Sequence, residues 1–301
     1  MSHTRARRFA PLGEGPWQES DLPKLQGIIF DVDGTLCKPQ NHMFREMRRV
    51  LSIPAGADIL EHVYGLPSAA AREAAMSRIR AIERRGMAEQ VAQPGLARLM
   101  AYLDARGVRK GICTRNFEQP VAHLLARFLA GSVFHPVVTR RFRPPKPDPA
   151  GLLFIAHSWG LVTRRRRSKS RTGRMTTTMT MEEVEVEVED AGVALGVMNG
   201  HDTTKNNKAD DEDDEDGYDS TGEYETVGDG SNLIMVGDSI DDMTAGRRAG
   251  AATVLLVNDA NRHLAEHEHT DLVIERLDEL IDVLDRGFVV ERCQRPRNEV
   301  R

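Results

Sequence analysis

Three cysteines in 301 residues are too few, and odd in number, for a disulfide framework. Cys37, Cys113 and Cys293 show no metal-ligand spacing either, so a thiolate zinc module is excluded and a reducing compartment fits best. No apolar run approaches the roughly 20 residues needed to cross a bilayer, so no membrane span is expected. Arg5, Arg7 and Arg8 give the start of the chain basic character, but no apolar stretch of the secretory-signal kind follows them. Residues 1–24 are read as a flexible N-terminal extension and 291–301 as a flexible tail. The compartment implied is the cytoplasm, with the nucleus open as a second. What remains is a chain with 40% apolar residues, enough to build a real core.

The most informative segment is Ile28-Ile29-Phe30-Asp31-Val32-Asp33-Gly34-Thr35, an apolar strand ending in two carboxylates and a glycine. Side chains alternate along a strand, so Asp31 and Asp33 point one way while Val32 points back into the core. Two adjacent carboxylates repel unless a cation or a shared proton lies between them. Gly34 allows a sharp turn, and Asp-Gly after a strand is also an ordinary turn signal.

Three later segments carry chemistry at comparable places. Gly111-Ile112-Cys113-Thr114-Arg115-Asn116 is an apolar run ending in a hydroxyl and opening onto a helix with Val121, Leu124, Leu125 and Phe128 on one face. A threonine at such a helix start suits an anion. In Arg143-Pro144-Pro145-Lys146-Pro147-Asp148-Pro149, prolines bracket one lysine and limit how far its ammonium can wander. Leu233-Ile234-Met235-Val236-Gly237-Asp238-Ser239-Ile240-Asp241-Asp242 repeats the pattern of strand, glycine and acid cluster. Singly, each has a bland reading as a helix cap, a loop lysine or an acidic turn. Together, each chemical group follows a strand-like run, where parallel α/β sheets place their ligands.

In this order the four segments resemble the motifs of the haloacid dehalogenase superfamily, and more closely its uncharacterised fungal members. Asp31 and Asp33 match the first motif, Thr114 the second, Lys146 the third, and Gly237-Asp238-Ser239 with Asp242 the fourth. The likeness covers about residues 25–160 and 231–290. It implies an Asp31 nucleophile and an Asp33 acid-base, with Thr114, Lys146 and backbone N–H groups near Arg115 on the phosphoryl oxygens. It also implies Mg2+ held by Asp31, Asp33 through its carbonyl, and Asp238, with Asp242 orienting Lys146 or a metal-bound water. Asp241 is a weaker candidate for that last task. An acid at position 33 has an alkoxide leaving group to protonate in phosphoryl transfer and none in dehalogenation. The resemblance therefore implies a phosphatase acting on a small phosphorylated metabolite. The alternatives are a sugar-phosphate phosphomutase or a slow scaffold whose acidic insert recruits a basic protein.

Strand-like runs at Gly27 to Phe30, Val108 to Cys113, Val133 to Thr139, Leu233 to Val236, Thr253 to Val257 and Leu272 to Ile274 alternate with helical patterns. The pattern predicts an α/β fold, a three-layer Rossmann-like parallel sheet, with the core formed by 25–37, 94–162 and 231–290. Residues 38–93 break the alternation with helical segments near Met43 to Leu51 and Ala69 to Arg85, read as a small helical cap inserted after the first motif. Residues 163–230 form a charged insert of low apolar content, read as disordered, with the Val-Glu alternation after Glu182 left mostly unpaired. Extended to Ser231, the insert holds 9 Lys/Arg and 18 Asp/Glu, a net −9, so in a chain of −5 the remainder is +4. That acidity argues against a nucleic-acid surface. Arg164 to Lys169 resembles a nuclear-import patch, although basic flanks are common on such segments. As a helix-to-strand connection, the insert is placed at the amino-terminal ends of the strands, away from the reactive edge.

Overall fold

A computed structural model of the protein describes residues 6–7, 9–13, 22–54, 56–166, 178–187, 194–203 and 224–290. The chain starts with β1 (Ala6–Arg7) and β2 (Gly27–Phe30), then passes through three helices, α1 (Asn41–Val50), α2 (Ile59–Tyr64) and α3 (Ala69–Ala88). It continues through α4 (Leu96–Ala105), β3 (Arg109–Cys113), α5 (Glu118–Phe128), β4 (Val137–Val138) and α6 (Ala150–Ser158). Four strands follow, β5 (Val162–Arg166), β6 (Thr178–Glu187), β7 (Ala194–Thr203) and β8 (Tyr224–Gly228). The last elements are β9 (Leu233–Gly237), α7 (Ile240–Ala249), β10 (Ala252–Leu256), β11 (Leu272–Ile274), α8 (Glu279–Arg286) and β12 (Val289–Val290).

The central sheet runs β11-β10-β9-β2-β3-β4-β7-β6, and its first six strands are all parallel. Alternation along each strand supplies both faces of this three-layer structure. Ile28, Phe30, Ile112, Ile234 and Val236 pack with Leu99 and Leu103 of α4, Leu124 of α5 and Leu280 of α8. Their neighbours Ile29, Cys113, Leu233 and Met235 face the other way, onto Leu152 and Ile155 of α6 and Ala245 of α7. Because β2 lies between β3 and β9, the loops after these three strands emerge side by side.

Helices α1 to α3 form a separate unit with its own apolar cluster, including Met43, Met47, Ile59, Val63, Ile79 and Ile82. α3 starts on a Ser68 cap whose side chain accepts from the Ala71 N–H. The unit joins the core through a narrow neck, where Lys38 N–H donates to the Val91 carbonyl and Gln93 N–H to that of Leu36.

Three sequence expectations are corrected. The Val133 to Thr139 run gives a strand of only two residues, since Pro136 interrupts the ladder with no N–H of its own. Part of the expected loose N-terminal extension is anchored: β1 pairs with β12, and the buried Phe9 ring meets Phe288 edge-on at 5.8 Å. Within the insert, the Val-Glu alternation is paired. β6 and β7 form an antiparallel hairpin from Thr178↔Thr203 to Glu187↔Ala194, and β7 adds in parallel to β4 at Val137↔Val197. A short edge strand with unpaired backbone groups accepts such an addition.

The insert leaves and re-enters through the β5–β8 ladder, Val162↔Gly228 to Arg166↔Tyr224. Gly228 lies against α6, where a Cβ would overlap the Leu153 carbonyl. Asp229 N–H donates to Leu161 O and Gln26 N–H to Asn232 O, so this stem sits at the amino-terminal ends of the strands. From Val197, however, β7 continues alongside β4 toward the opposite edge. The rest of the insert, 167–177, 188–193 and 204–223, lies outside the described residues.

Phe9→Ala should cost about 3–5 kcal/mol, as for other aromatic truncations at buried sites. Denaturant unfolding of the full chain measures this; a loss below about 1 kcal/mol would show that the N-terminal segment contributes little to the core.

Candidate active site

At the carboxyl edge of the sheet, one cavity of about 460 Å³ is lined by Asp31, Asp33, Thr114, Arg115, Lys146 and Asp238, among others. These six come from the ends of β2, β3 and β9 and from the proline-bracketed loop before α6. They comprise the predicted site residues apart from Asp242, which stands directly behind Lys146.

Lys146 is the centre of the arrangement. Its Nζ donates to Asp31 Oδ1 at 2.8 Å and to Asp242 Oδ1 at 2.5 Å, with all three residues buried. Burial works against the ammonium, but the Asp242 and Asp31 charges outweigh it and hold its pKa above the ordinary lysine value. The other Asp242 oxygen accepts from the Ser239 N–H at 3.0 Å and the Ser239 hydroxyl at 2.6 Å, completing a capping box on α7. Of the two tasks open to Asp242, orienting Lys146 is therefore the one its hydrogen bonds serve. Asp241 instead pairs with Arg115 Nη1 at 2.6 Å, which draws that guanidinium toward α7.

The remaining carboxylates have different surroundings. Burial raises Asp31, with the Lys146 charge opposing it. Asp33 accepts the Gln40 N–H at 2.9 Å, and burial pushes its carboxyl up to about 6. Asp238 reaches about 8, first through burial and then through repulsion by Asp31, Asp242 and Asp33. Gly34, at φ +87°, turns the chain beneath it, and a Cβ there would run into the Asp238 carboxylate. Oxygens of Asp31, Asp238 and Asp242 lie within 4.8 Å of one another. Such a hard-oxygen cluster, with more negative charge than Lys146 can balance, fits a divalent cation like magnesium.

Thr114 is buried at the end of β3, and its Oγ1 accepts from the Asn116 N–H at 3.2 Å, which leaves the hydroxyl proton to donate. Cys113 points to the opposite face among Ile29, Val138 and Leu152, and burial pushes its thiol up to about 12. It belongs to the core, as the alternation predicts.

Sequence reasoning missed several supports. Asn261 donates through Nδ2 to the backbone oxygens of Asp238 (2.7 Å) and Leu256 (3.1 Å), bracing the Asp238 loop from the segment after β10. Gln40 donates from its side chain to the Gly86 carbonyl and from its backbone to Asp33, tying the acid-base candidate to the helical unit. Gln93 holds the Gly34 carbonyl at 2.7 Å. Arg140 and Asp58, which bridge the core and the helical unit at 2.8 Å, also line the cavity. No local pattern singles out these residues; only their long-range partners do.

Comparison with known proteins gives the family. Residues 25–165 match the haloacid dehalogenase-like hydrolase family, and 223–280 match a second HAD-hydrolase-like model. The chain is 32% identical to the uncharacterised hydrolase YOR131C of Saccharomyces cerevisiae, over 87% of this chain and 92% of that protein. It belongs to the haloacid dehalogenase-like hydrolases. Solved structures of similar fold include a hydrolase from Pseudomonas syringae, with TM-score 0.51, 18% identity and coverage of 86% of this chain and 98% of that one. Another, from Haemophilus somnus, is described as a predicted phosphoglycolate phosphatase, with TM-score 0.52, 14% identity and coverage of 86% and 97%. No helix among the described residues is long and apolar enough to cross a membrane.

The raised Asp238 pKa gives a signed prediction. Its folded value, about 8, lies above the ordinary 3.8. This group therefore favours the metal-free fold fully below the lower value, and the advantage is lost as pH rises through the higher one. A cation must displace that proton, so magnesium should raise the melting temperature more at pH 8.5 than at pH 6.5. Asp238→Asn should remove both the magnesium-induced rise and its pH dependence. Equal rises at the two pH values would show that Asp238 holds no proton in this range, and an unaltered rise in the variant would exclude Asp238 as a ligand.

Proposed function

We propose that this hydrolase is a Mg2+-dependent phosphatase that cleaves a small phosphomonoester through an aspartyl-phosphate intermediate. The observation that supports it best is the convergence of Asp31, Asp33, Thr114, Lys146 and Asp238 on one cavity. Asp31, held by Lys146, is the nucleophile: the carboxylate oxygen not bound to Lys146 forms the P–O bond as the ester bond to the leaving oxygen breaks. Asp33, raised to about 6, still carries a proton in part of the population near neutral pH and gives it to that oxygen. As a carboxylate it then takes a proton from the water that hydrolyses the aspartyl phosphate. Thr114 and Lys146 hold phosphoryl oxygens, with backbone N–H groups near Arg115 as further donors. Magnesium, held by Asp31, the Asp33 carbonyl and Asp238, would neutralise the phosphoryl charge that otherwise repels an anionic nucleophile.

The helical unit of residues 38–93 is read as the cap over this site. Phe44, Arg48, Asp58 and Ile59 line the outer part of the cavity, where such a unit can exclude water and contact the rest of the substrate. The ligand is thus a small phosphorylated metabolite.

Asp31→Asn should abolish magnesium-dependent phosphate release across a metabolite panel while preserving the fold by circular dichroism. Release equal to wild type would refute the nucleophile assignment, and an isomerised sugar phosphate without free phosphate would make the enzyme a mutase. Replacing residues 167–223 by a short Gly-Ser turn on the β5–β8 stem should leave turnover within severalfold. A collapse of turnover in a folded variant would instead assign the insert to the site.

A further inference from the structure

The loops after β2 and β9 carry the candidate metal ligands, and they approach each other against the repulsion of their own acids. Asp238 lies so close to Gly34 that a Cβ there would run into its carboxylate. Oxygens of Asp31, Asp238 and Asp242 lie within 4.8 Å of one another, while Lys146 is committed to Asp31 and Asp242. Like charges at that spacing push apart. Among the described residues no donor is bonded to the Asp238 carboxylate, so its place is fixed through the backbone that carries it.

Two carboxamides hold these loops, and neither lines the cavity. Asn261 is buried in the turn after β10, where its Oδ1 accepts the Asn258 N–H at 2.6 Å. With that oxygen taken, the amide turns its donors to carbonyls: Nδ2 reaches Leu256 O at 3.1 Å and Asp238 O at 2.7 Å. The turn after β10 thus grips the Asp238 peptide and ties it to the end of that strand. On the facing loop, Gln93 of the neck donates from Nε2 to Gly34 O at 2.7 Å, while its backbone N–H donates to Leu36 O. Gly34 directly follows the Asp33 carbonyl, so this bond fixes the turn that presents that carbonyl.

We infer that Asn261 and Gln93 are positioning residues that set the magnesium affinity of this site: by pinning the Asp238 and Gly34 carbonyls, they keep the two loops together before a cation arrives. This rests on the magnesium part of the reading above, with Asp31, the Asp33 carbonyl and Asp238 as ligands. When either loop is released, the repelled Asp238 carboxylate relaxes away from Asp31 and Asp242, and binding must then include the work of bringing it back. Supports behind metal ligands act on affinity in this way. Because both amides lie outside the cavity lining, substrate contacts do not account for their placement. A purely structural role would lower stability and leave metal affinity unchanged.

The test is calorimetric binding of magnesium to the full-length chain, with Mn2+ binding followed by electron paramagnetic resonance as a second readout and thermal unfolding without metal as the measure of stability. Asn261→Ala and Gln93→Ala should each weaken magnesium binding about tenfold or more, as for other supports of metal ligands. The double variant should lose less than the product of the two single losses, because one released loop already lets the carboxylates separate. Thr270→Val removes a hydrogen bond to Leu264 O from the segment after β10 without touching Asp238, and should lower stability while leaving magnesium affinity unchanged. Gln93 is only partly buried, so its variant decides the matter if Asn261→Ala does not fold. Wild-type magnesium affinity in a folded single variant, an equal loss of affinity in Thr270→Val, losses that multiply in the double variant, or no binding of either cation by the wild-type chain would overturn the paired clamp. Phosphate release by the wild type, measured separately, decides the phosphatase reading: a chain that binds magnesium through these clamps and releases no phosphate keeps the inference and loses that reading.

Discussion

The reactive edge of this protein depends on one buried ammonium placed between two carboxylates. Desolvating a charged lysine costs several kcal/mol, and two well-placed carboxylates offset that cost. Here the lysine comes from the loop before α6, one carboxylate from the end of β2 and the other from the first turn of α7. The three cannot be buried separately without leaving an unpaired charge, so they hold three distant segments at one point. Asp242 extends the constraint by capping α7 with its second oxygen. The same contacts that order the edge of the sheet thus leave Asp31 with one oxygen tied to Lys146.

Around that point, environment divides similar side chains into different tasks. Asp31 is steadied by the lysine, whereas Asp33 accepts the Gln40 backbone N–H and is raised mainly by burial. Asp238 has no cation of its own among the described residues and carries the repulsion of the cluster. Four aspartates in one small region thus differ in what surrounds them: Asp31 and Asp242 lie against the lysine, Asp33 accepts a backbone N–H, and Asp238 carries the repulsion of the others. Gly34 and Asn261 allow and brace the close approach of two loops on which those differences depend.

Much of the fold was legible because it is written at short range. The two-residue period of Ile28-Ile29-Phe30 and Leu233-Ile234-Met235-Val236 assigns each side chain to a face, and both faces are filled as the period requires. The acids and the hydroxyl at the strand ends were visible for the same reason. Less legible were segments whose state is settled by a distant partner. Pro136 shortens an apolar run that reads as a strand. Phe9 looks like part of a loose extension until Phe288 covers it. The Val-Glu alternation lacks a partner until β7 and the edge of β4 supply one.

The residue sequence by itself determined which chemical groups end the strands, their order along the chain, and the alternation that makes a parallel sheet the way to bury its apolar runs. Local periodicity and backbone stereochemistry suffice for that, since each acts over a few residues. Only the tertiary structure decided that Asp242 backs Lys146, that Arg115 leans on Asp241, and that Arg140 pairs with Asp58 between the core and the helical unit. Those pairings join segments 82 to 126 residues apart. They follow from how burial and charge are balanced in three dimensions, which no spacing along the chain encodes.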